Sequence, residues 1–548
     1  MPELRGAVGV VGVALLCACP EGEAIGTGLS AGSTAITTGV TAVEASTGPT
    51  LTDGGSATSD AATTTGMEEG TSSTGDTEGV VPMAPVSVHL VPQPGVTGTQ
   101  RVNLAVPLAP GLLFGDDVPV RVRAGGVELP AVARGLAMYA TDGSWRSVQV
   151  QFDVEVAGES DVEVALGEAP GGPAIAAVPV EQTLQGSDGP RVWALLPNTW
   201  MADSVVAGPM VADGEIDGAL AAWASKCDAA KFGVDAFMAE KDNPDAWLHD
   251  RGTALYRGYV RRGDLASLRS AYLETSLYMA GLTGSGATTQ VGVKGKGSDA
   301  KFYYAQSLAL HYLLTGDDRF RERAEDVAEA MSVLWVSPGY AGGKDFWTER
   351  HAGFALLAYV WALIVTDDQH GEFEGLARAA VAAYVDVQET YPKGYADPDA
   401  RCFAHSADAA IEDYGYFGCS PWFSAVLAEA LEQYATELGG NEADRARTSI
   451  VKLGRSLARD GRDMTGKPFF WMGVDNGKGE VDGFEQHWGE SAYVVAMAWH
   501  LDGRGDAALR EAADALVAGF AGKANVPHLR SFTWQCRSAA ATPWFLRP

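Results

Sequence analysis

A chain of 548 residues with 46% hydrophobic side chains can bury a substantial core, and at roughly 150 residues per domain it is long enough for two to four units. Its 70 acidic residues outnumber its 40 basic ones, for a formal charge of -30. That balance excludes non-specific nucleic-acid binding and requires any polyanionic partner to be met by locally placed Arg and Lys.

Residues 1–19 carry one basic residue, Arg5, followed by the apolar run GAVGVVGVALL, which is too short to span a bilayer and reads as an export signal. Its end, Leu16-Cys17-Ala18-Cys19, resembles the bacterial lipobox, which implies lipidation at Cys19 and a lipoprotein at the outer membrane or cell surface. A plain secretory signal is the alternative. Residues 20–82 are dominated by Ser, Thr, Gly and Ala, a composition that cannot bury enough apolar surface to order itself, so a flexible tether is expected. Four cysteines follow: Cys227, Cys402, Cys419 and Cys536. In an oxidising compartment an even count predicts disulfides, with Cys402–Cys419 closing one loop and Cys227–Cys536 tying the ends of the C-terminal region, although four cysteines allow three connectivities. The absence of CxxC spacing argues against a metal site built on them.

From 83 to 215 the chain shows short alternating runs: VSVHLV, RVNLAVPL, VPVRVRAGG, VELPAVAR and SDVEVALG, separated by Gly, Pro and Asp turns. Ser147 to Val156 alternates apolar and polar residues throughout, which predicts a strand with one face toward water. An all-β sandwich or barrel is expected here. From 216 to 548 the pattern becomes helical, with strands expected to stop and helices expected near 246–261, 264–281, 299–315, 318–334, 347–366, 373–390, 420–437, 441–459, 487–502 and 506–520. The links within successive pairs are short, as in Thr315-Gly316-Asp317-Asp318, whereas those between pairs are long and rich in Gly and aromatics. In stacked antiparallel hairpins the two kinds of link lie at opposite ends. The end with the long links is therefore the expected site, and it collects the N-termini of the helices starting near Asp299, Trp347, Ser420 and His487, which favour anions.

Three segments carry a family likeness: Arg101 to Leu108 (RVNLAVPL), Ala140 to Trp145 (ATDGSW), and Phe346-Trp347-Thr348-Glu349-Arg350-His351 opening a helix that ends before Asp367-Asp368. Through them the chain resembles the exo-rhamnogalacturonan lyase (YetA-like) family. The resemblance implies a multidomain all-β plus all-α protein, a RIFT-type β-barrel followed by an (α/α) toroid of about five or six hairpins, and action on an acidic polysaccharide.

A lyase acting on a uronate must neutralise the carboxylate, remove the adjacent proton and protonate the leaving oxygen. Trp347, Arg350 and His351 share one side of a helix start, where they suit stacking on a sugar, bidentate carboxylate binding and proton exchange. The basic link Lys294, Lys296 and Lys301, followed by Tyr303 and Tyr304, is a candidate anion-binding element. The segment His405 to Gly418 concentrates His405, Asp408, Glu412, Asp413, Tyr414 and Tyr416, candidates for proton transfer or sugar binding, and a Ca²⁺ ion there is conceivable although the sequence requires no cofactor. Asp482, Phe484, Glu485, His487, Trp488 and Glu490 enter the last hairpin, and His249, Asp250 and Arg251 begin the first long helix. His311 and His500 read as packing residues. Two other functions fit the same residues: a glycoside hydrolase using Asp413 with Glu485 or Glu490, and a non-catalytic glycan-binding surface protein.

Overall fold

The computed structural model describes residues 83–547 except 174, 336–347, 392–394, 406–413, 482 and 484–486. Cys19, the stretch 20–82, Trp347, Asp408, Glu412, Asp413, Asp482, Phe484 and Glu485 lie outside the described residues. A strand-rich N-terminal region precedes a helical one.

The strands are β1 (Val86–Pro92), β2 (Gly98–Pro107), β3 (Val120–Ala124), β4 (Val127–Leu129), β5 (Ala131–Met138), β6 (Trp145–Val156), β7 (Ser160–Leu166) and β8 (Val192–Leu195). They form two antiparallel sheets, one in the order β4-β3-β7-β1-β8 and one in the order β2-β6-β5. The expected strand VELPAVAR is divided at Pro130, which has no N–H for a ladder, and its two halves join different sheets.

Most of the polar face of β6 is not wet, contrary to the alternation pattern; it reaches water only toward its end, at Asp153 and Glu155. Arg146, Ser147, Gln149 and Gln151 are all buried, because the sheet β2-β6-β5 covers one end of the helical region. Their polar groups are satisfied there: Ser147 Oγ donates to Leu313 O at 2.6 Å, Gln149 Nε2 reaches Asn103 Oδ1 at 2.7 Å, and Arg146 pairs with Glu437 at 2.5 Å. Gly316, with φ +73°, makes the tight link at this end, and a Cβ on it would lie 2.4 Å from the Gln149 side chain. Only glycine suits both demands.

The principal helices are α1 (Arg251–Arg262), α2 (Leu265–Gly281), α3 (Gln306–Thr315), α4 (Asp318–Leu334), α5 (Glu349–Val365), α6 (His370–Thr390), α7 (Ser424–Leu438), α8 (Gly440–Asp460), α9 (Trp488–Leu501), α10 (Ala507–Lys523) and α11 (Leu529–Arg537). Side-chain caps from Asp264, Asp317, Thr348 and Asp506 fix their starts, as the sequence signals require. Helix α5 is buried along its whole length, whereas α4 and α8 bury one stripe, so the first is an inner helix and the others form an outer layer. Among the inner helices, α3 touches α1 and α5, α7 touches α5 and α9, and α11 touches α9 and α1.

Three expectations need correction. Strands do not stop at 217: β9 (Gly418–Cys419), β10 (Phe469–Gly473) and β11 (Gly479–Val481) form a small sheet within the helical region. Helical structure begins at Asn198, before the expected boundary. The helix expected over 299–315 is interrupted, with a 3₁₀ turn at Ala300–Phe302 and α3 starting only at Gln306. Both expected disulfides are present, Cys227–Cys536 and Cys402–Cys419, consistent with an oxidising compartment. Among the described residues no helix is long and apolar enough to cross a membrane.

Candidate active site

The inner helices bring their N-terminal ends to the end of the helical region opposite the sheet. His249 and Asp250 precede α1, Tyr304 precedes α3, Arg350 stands in the first turn of α5, Trp422 and Phe423 precede α7, and His487 precedes α9. Their side chains meet. The His487 ring stacks on Trp422 with centroids 4.5 Å apart and lies 4.9 Å from Trp534 of α11. His249 stands edge-on to both indoles, at 5.6 Å from Trp422 and 5.4 Å from Trp534. The Arg350 guanidinium lies 4.4 Å over the Phe423 ring, and that of Arg530 lies 4.9 Å over Trp534.

His249 is the residue whose position costs most. It and Asp250 are consecutive non-glycine residues in the left-handed region, with φ of +72° and +59°. Such backbone is strained by about 1–3 kcal/mol per residue and persists where the surroundings over-determine it. The Tyr304 hydroxyl accepts from His249 N at 2.9 Å, and the Asp250 carboxylate caps α1 through Thr253 N at 3.2 Å. The ring is buried, and its Nε2 has no hydrogen-bond partner among the described residues; the same holds for the indole N–H groups of Trp422, Trp471 and Trp534. Buried donors and acceptors without partners cost roughly 1–3 kcal/mol each, and several of them meet here. Burial, followed by the positive charge of Arg350, Arg530 and Arg537, holds the His249 imidazole well below its ordinary value. It is a neutral base.

A second corner is organised by Glu349, fully buried at the start of α5. It accepts from Ser420 N at 2.8 Å and faces His405 Nε2 at 3.0 Å. The His405 ring is edge-on to Trp471 at 4.7 Å, and Tyr414 stacks on the same indole at 5.7 Å. Hydrogen bonds between His405 and Gly418 and the Cys402–Cys419 bridge brace this corner. His351 bonds Thr348 Oγ1 through Nδ1 at 2.6 Å and stacks against Trp335 at 5.2 Å. Burial and then Arg350 lower its pKa well below the usual value, so it too is neutral. Lys301 pairs with Asp299 at 3.3 Å, and burial followed by the proximity of Arg350 lowers its pKa.

Arg350, His351 and Lys301 are thus electrostatic neighbours, and His487 joins His249 across the Trp422 ring. His487 Nδ1 also lies 3.4 Å from Glu490 Oε1, placing Glu490 behind the imidazole. Other expected residues do different work. The Tyr303 hydroxyl lies within hydrogen-bond distance of Thr289 O (3.0 Å) and Gly297 O (2.5 Å), holding the basic link in place. Trp488 packs on Gly519, where a Cβ would lie 2.0 Å from its ring, on the outer side toward α10. Tyr416 donates to Glu480 Oε1 at 3.1 Å on the small sheet, at the exposed edge of the site. Arg251 is sealed in a buried pair with Glu274 at 2.7 Å. His311 stacks on Phe320 at 3.5 Å and packs in the core, as expected.

Sequence reasoning missed Trp422, Trp534 and Arg530 and gave His249 little weight. Trp534 lies on α11, whose His528 N-cap and strong amphipathic pattern were the available signal. Among the described residues the site holds no group of three metal-ligating side chains. The arrangement as a whole combines aromatic walls, neutral imidazoles and guanidinium groups, which suits a ligand with both a sugar face and a carboxylate. Comparison of the chain with protein-family models, with curated proteins and with solved structures finds no match.

Proposed function

We propose that this chain is a polysaccharide lyase that cleaves uronate-containing glycans by β-elimination. In this reading the inner helices close as an (α/α) toroid, the two N-terminal sheets belong to a RIFT-type barrel, and the protein is held at the cell surface through a lipid on Cys19. The order of contacts around the inner helices, ending with α11 against α1, supports the toroid.

The observation that carries the function is the meeting of His249, Arg350 and His487 with Trp422 and Trp534 at converging helix N-termini. A sugar ring stacks on the indoles, and Arg350 together with the helix dipoles takes the carboxylate. Neutral His249 removes the proton beside that carboxylate. The electron pair left behind forms the new double bond, the bond to the leaving oxygen breaks, and that oxygen takes a proton from an acid, for which Tyr414 and His487 are the candidates. The lowered pKa of His249 keeps it unprotonated before substrate arrives, and an incoming anionic carboxylate raises its basicity when the proton must be taken.

The test is incubation with a panel of acidic glycans. Products with the ultraviolet absorbance of an unsaturated uronate are expected, with the activity in the membrane fraction and released by Cys19→Ser. New reducing ends without that absorbance would make the protein a hydrolase, in which case Asp413 or Glu485 would take the leading role. Retention without turnover would leave a binding protein.

A further inference from the structure

At the opposite end of the helical region, α5 stops at Val365 and the chain turns through Thr366, Asp367 and Asp368 into α6. One carboxylate oxygen each from Asp367, Asp368 and Glu325 of α4 lie within 4.8 Å of one another. Glu325 is buried at 4% exposure, and its Oε1 has no hydrogen-bond partner among the described residues. Thr366 donates a hydrogen bond to the same carboxylate, and Arg321 pairs with Asp367 Oδ2 and with Glu322. The same guanidinium also lies 3.8 Å from Asp318 Oδ1, so it is shared among several carboxylates.

A buried carboxylate oxygen can be satisfied by a donor, a proton or a cation. Three features favour the cation. The carboxylates crowd together, so a divalent ion would relieve the whole group at once. The C-terminus of α5 adds its own partial negative charge at this place. Asp367 and Asp368 are exposed, and a cleft of about 500 Å³ lined by Arg321, Ile364, Thr366 and Asp367 with β5 opposite opens beside Asp367, leaving room for waters on an ion.

We propose that Glu325, Asp367 and Asp368 bind a calcium ion that ties α4 to the α5–α6 link beneath the sheet. Oxygen-only ligands with a partly exposed side suit Ca²⁺, which accepts irregular geometry and several waters, better than Mg²⁺, which demands a near-ideal octahedron. This site is independent of the glycan reaction.

The experiment is calorimetric titration of the chelator-treated protein with calcium chloride, paired with thermal unfolding with and without the ion. One site per chain with Kd on the order of 0.1–1 mM, the range of extracellular calcium modules, is expected, together with a rise in Tm. Glu325→Gln and Asp368→Asn should each weaken binding by at least ~10-fold. The second variant lies at the exposed side and keeps the test decisive if the first fails to fold. No saturable binding, an equal response to Mg²⁺, or binding unchanged in Asp368→Asn would overturn the proposal.

Discussion

Replacing Arg350 with Lys is expected to lower kcat/KM on the cleaved glycan by at least ~10-fold, about 1.4 kcal/mol of transition-state stabilisation, with little change in Tm. The guanidinium lies 4.4 Å over the Phe423 ring at the positive end of α5, where a planar fork can hold both oxygens of a uronate. Lysine keeps the charge but neither the fork nor the stacking surface. Arg350→Ala should lose more. His249→Asn is the companion variant, because Asn tolerates the left-handed backbone at this position while removing the base. Its expected loss is ~10²–10⁴-fold in kcat, the usual worth of a positioned general base. Steady-state kinetics with unfolding curves for each variant check both. Full activity in Arg350→Lys would reduce Arg350 to a packing residue and shift the search for the carboxylate partner to Lys301 and Arg530.

The largest effect on stability is expected from Glu429→Ala. Glu429 on α7 receives Arg257 of α1 at 2.8 Å, Arg537 of α11 at 2.8 Å and Gln306 of α3 at 3.2 Å, all of them buried. Four inner helices are thus joined by one carboxylate. Its removal leaves two buried guanidinium groups uncompensated, a loss of about 3–5 kcal/mol, whereas isosteric Glu429→Gln should lose part of that. Burial raises the Glu429 pKa, but Arg257 and Arg537 outweigh it and hold the carboxyl below its usual range. The sign follows: the group binds fewer protons folded than unfolded, so its stabilisation is complete above the ordinary carboxylate range and fades as the pH falls through the lower folded value. Wild type should therefore lose Tm on acidification more steeply than Glu429→Gln. Parallel curves would show that the pair contributes no net linkage.

Much of this architecture was legible before any coordinates. Period-two runs located the N-terminal strands, and period-3.6 runs with Asp, Ser or Thr caps located the principal helices, because both signals are local. What failed was set by tertiary contacts. The polar face of β6 reads as wet because alternation cannot distinguish water from a neighbouring domain's carbonyls. The small sheet β9–β11 escaped because Gly418–Cys419 is too short to carry a pattern. At the site, Arg350, His351 and His487 could be anticipated from their places at helix starts, and both disulfides from the cysteine count. His249 could not be weighted, since its left-handed backbone and its seat between Trp422 and Trp534 arise only when α1, α7 and α11 meet. The contacts of Tyr303 with Thr289 and Gly297 and of Trp488 with Gly519 were equally out of reach, because spacing alone does not decide which way a side chain near a helix start faces.

The most direct measurement of the central claim is the affinity of the site for a uronate oligosaccharide against the same oligosaccharide with its carboxyl groups reduced to alcohols. Quenching of tryptophan fluorescence should follow binding, since Trp422 and Trp534 are the proposed stacking surface. The acid form is expected to bind at least ~10-fold more tightly than the neutral form, with the difference lost in Arg350→Lys. Equal affinity for the two forms, or a preference for the acid form that survives in Arg350→Lys, would contradict a uronate site built on Arg350.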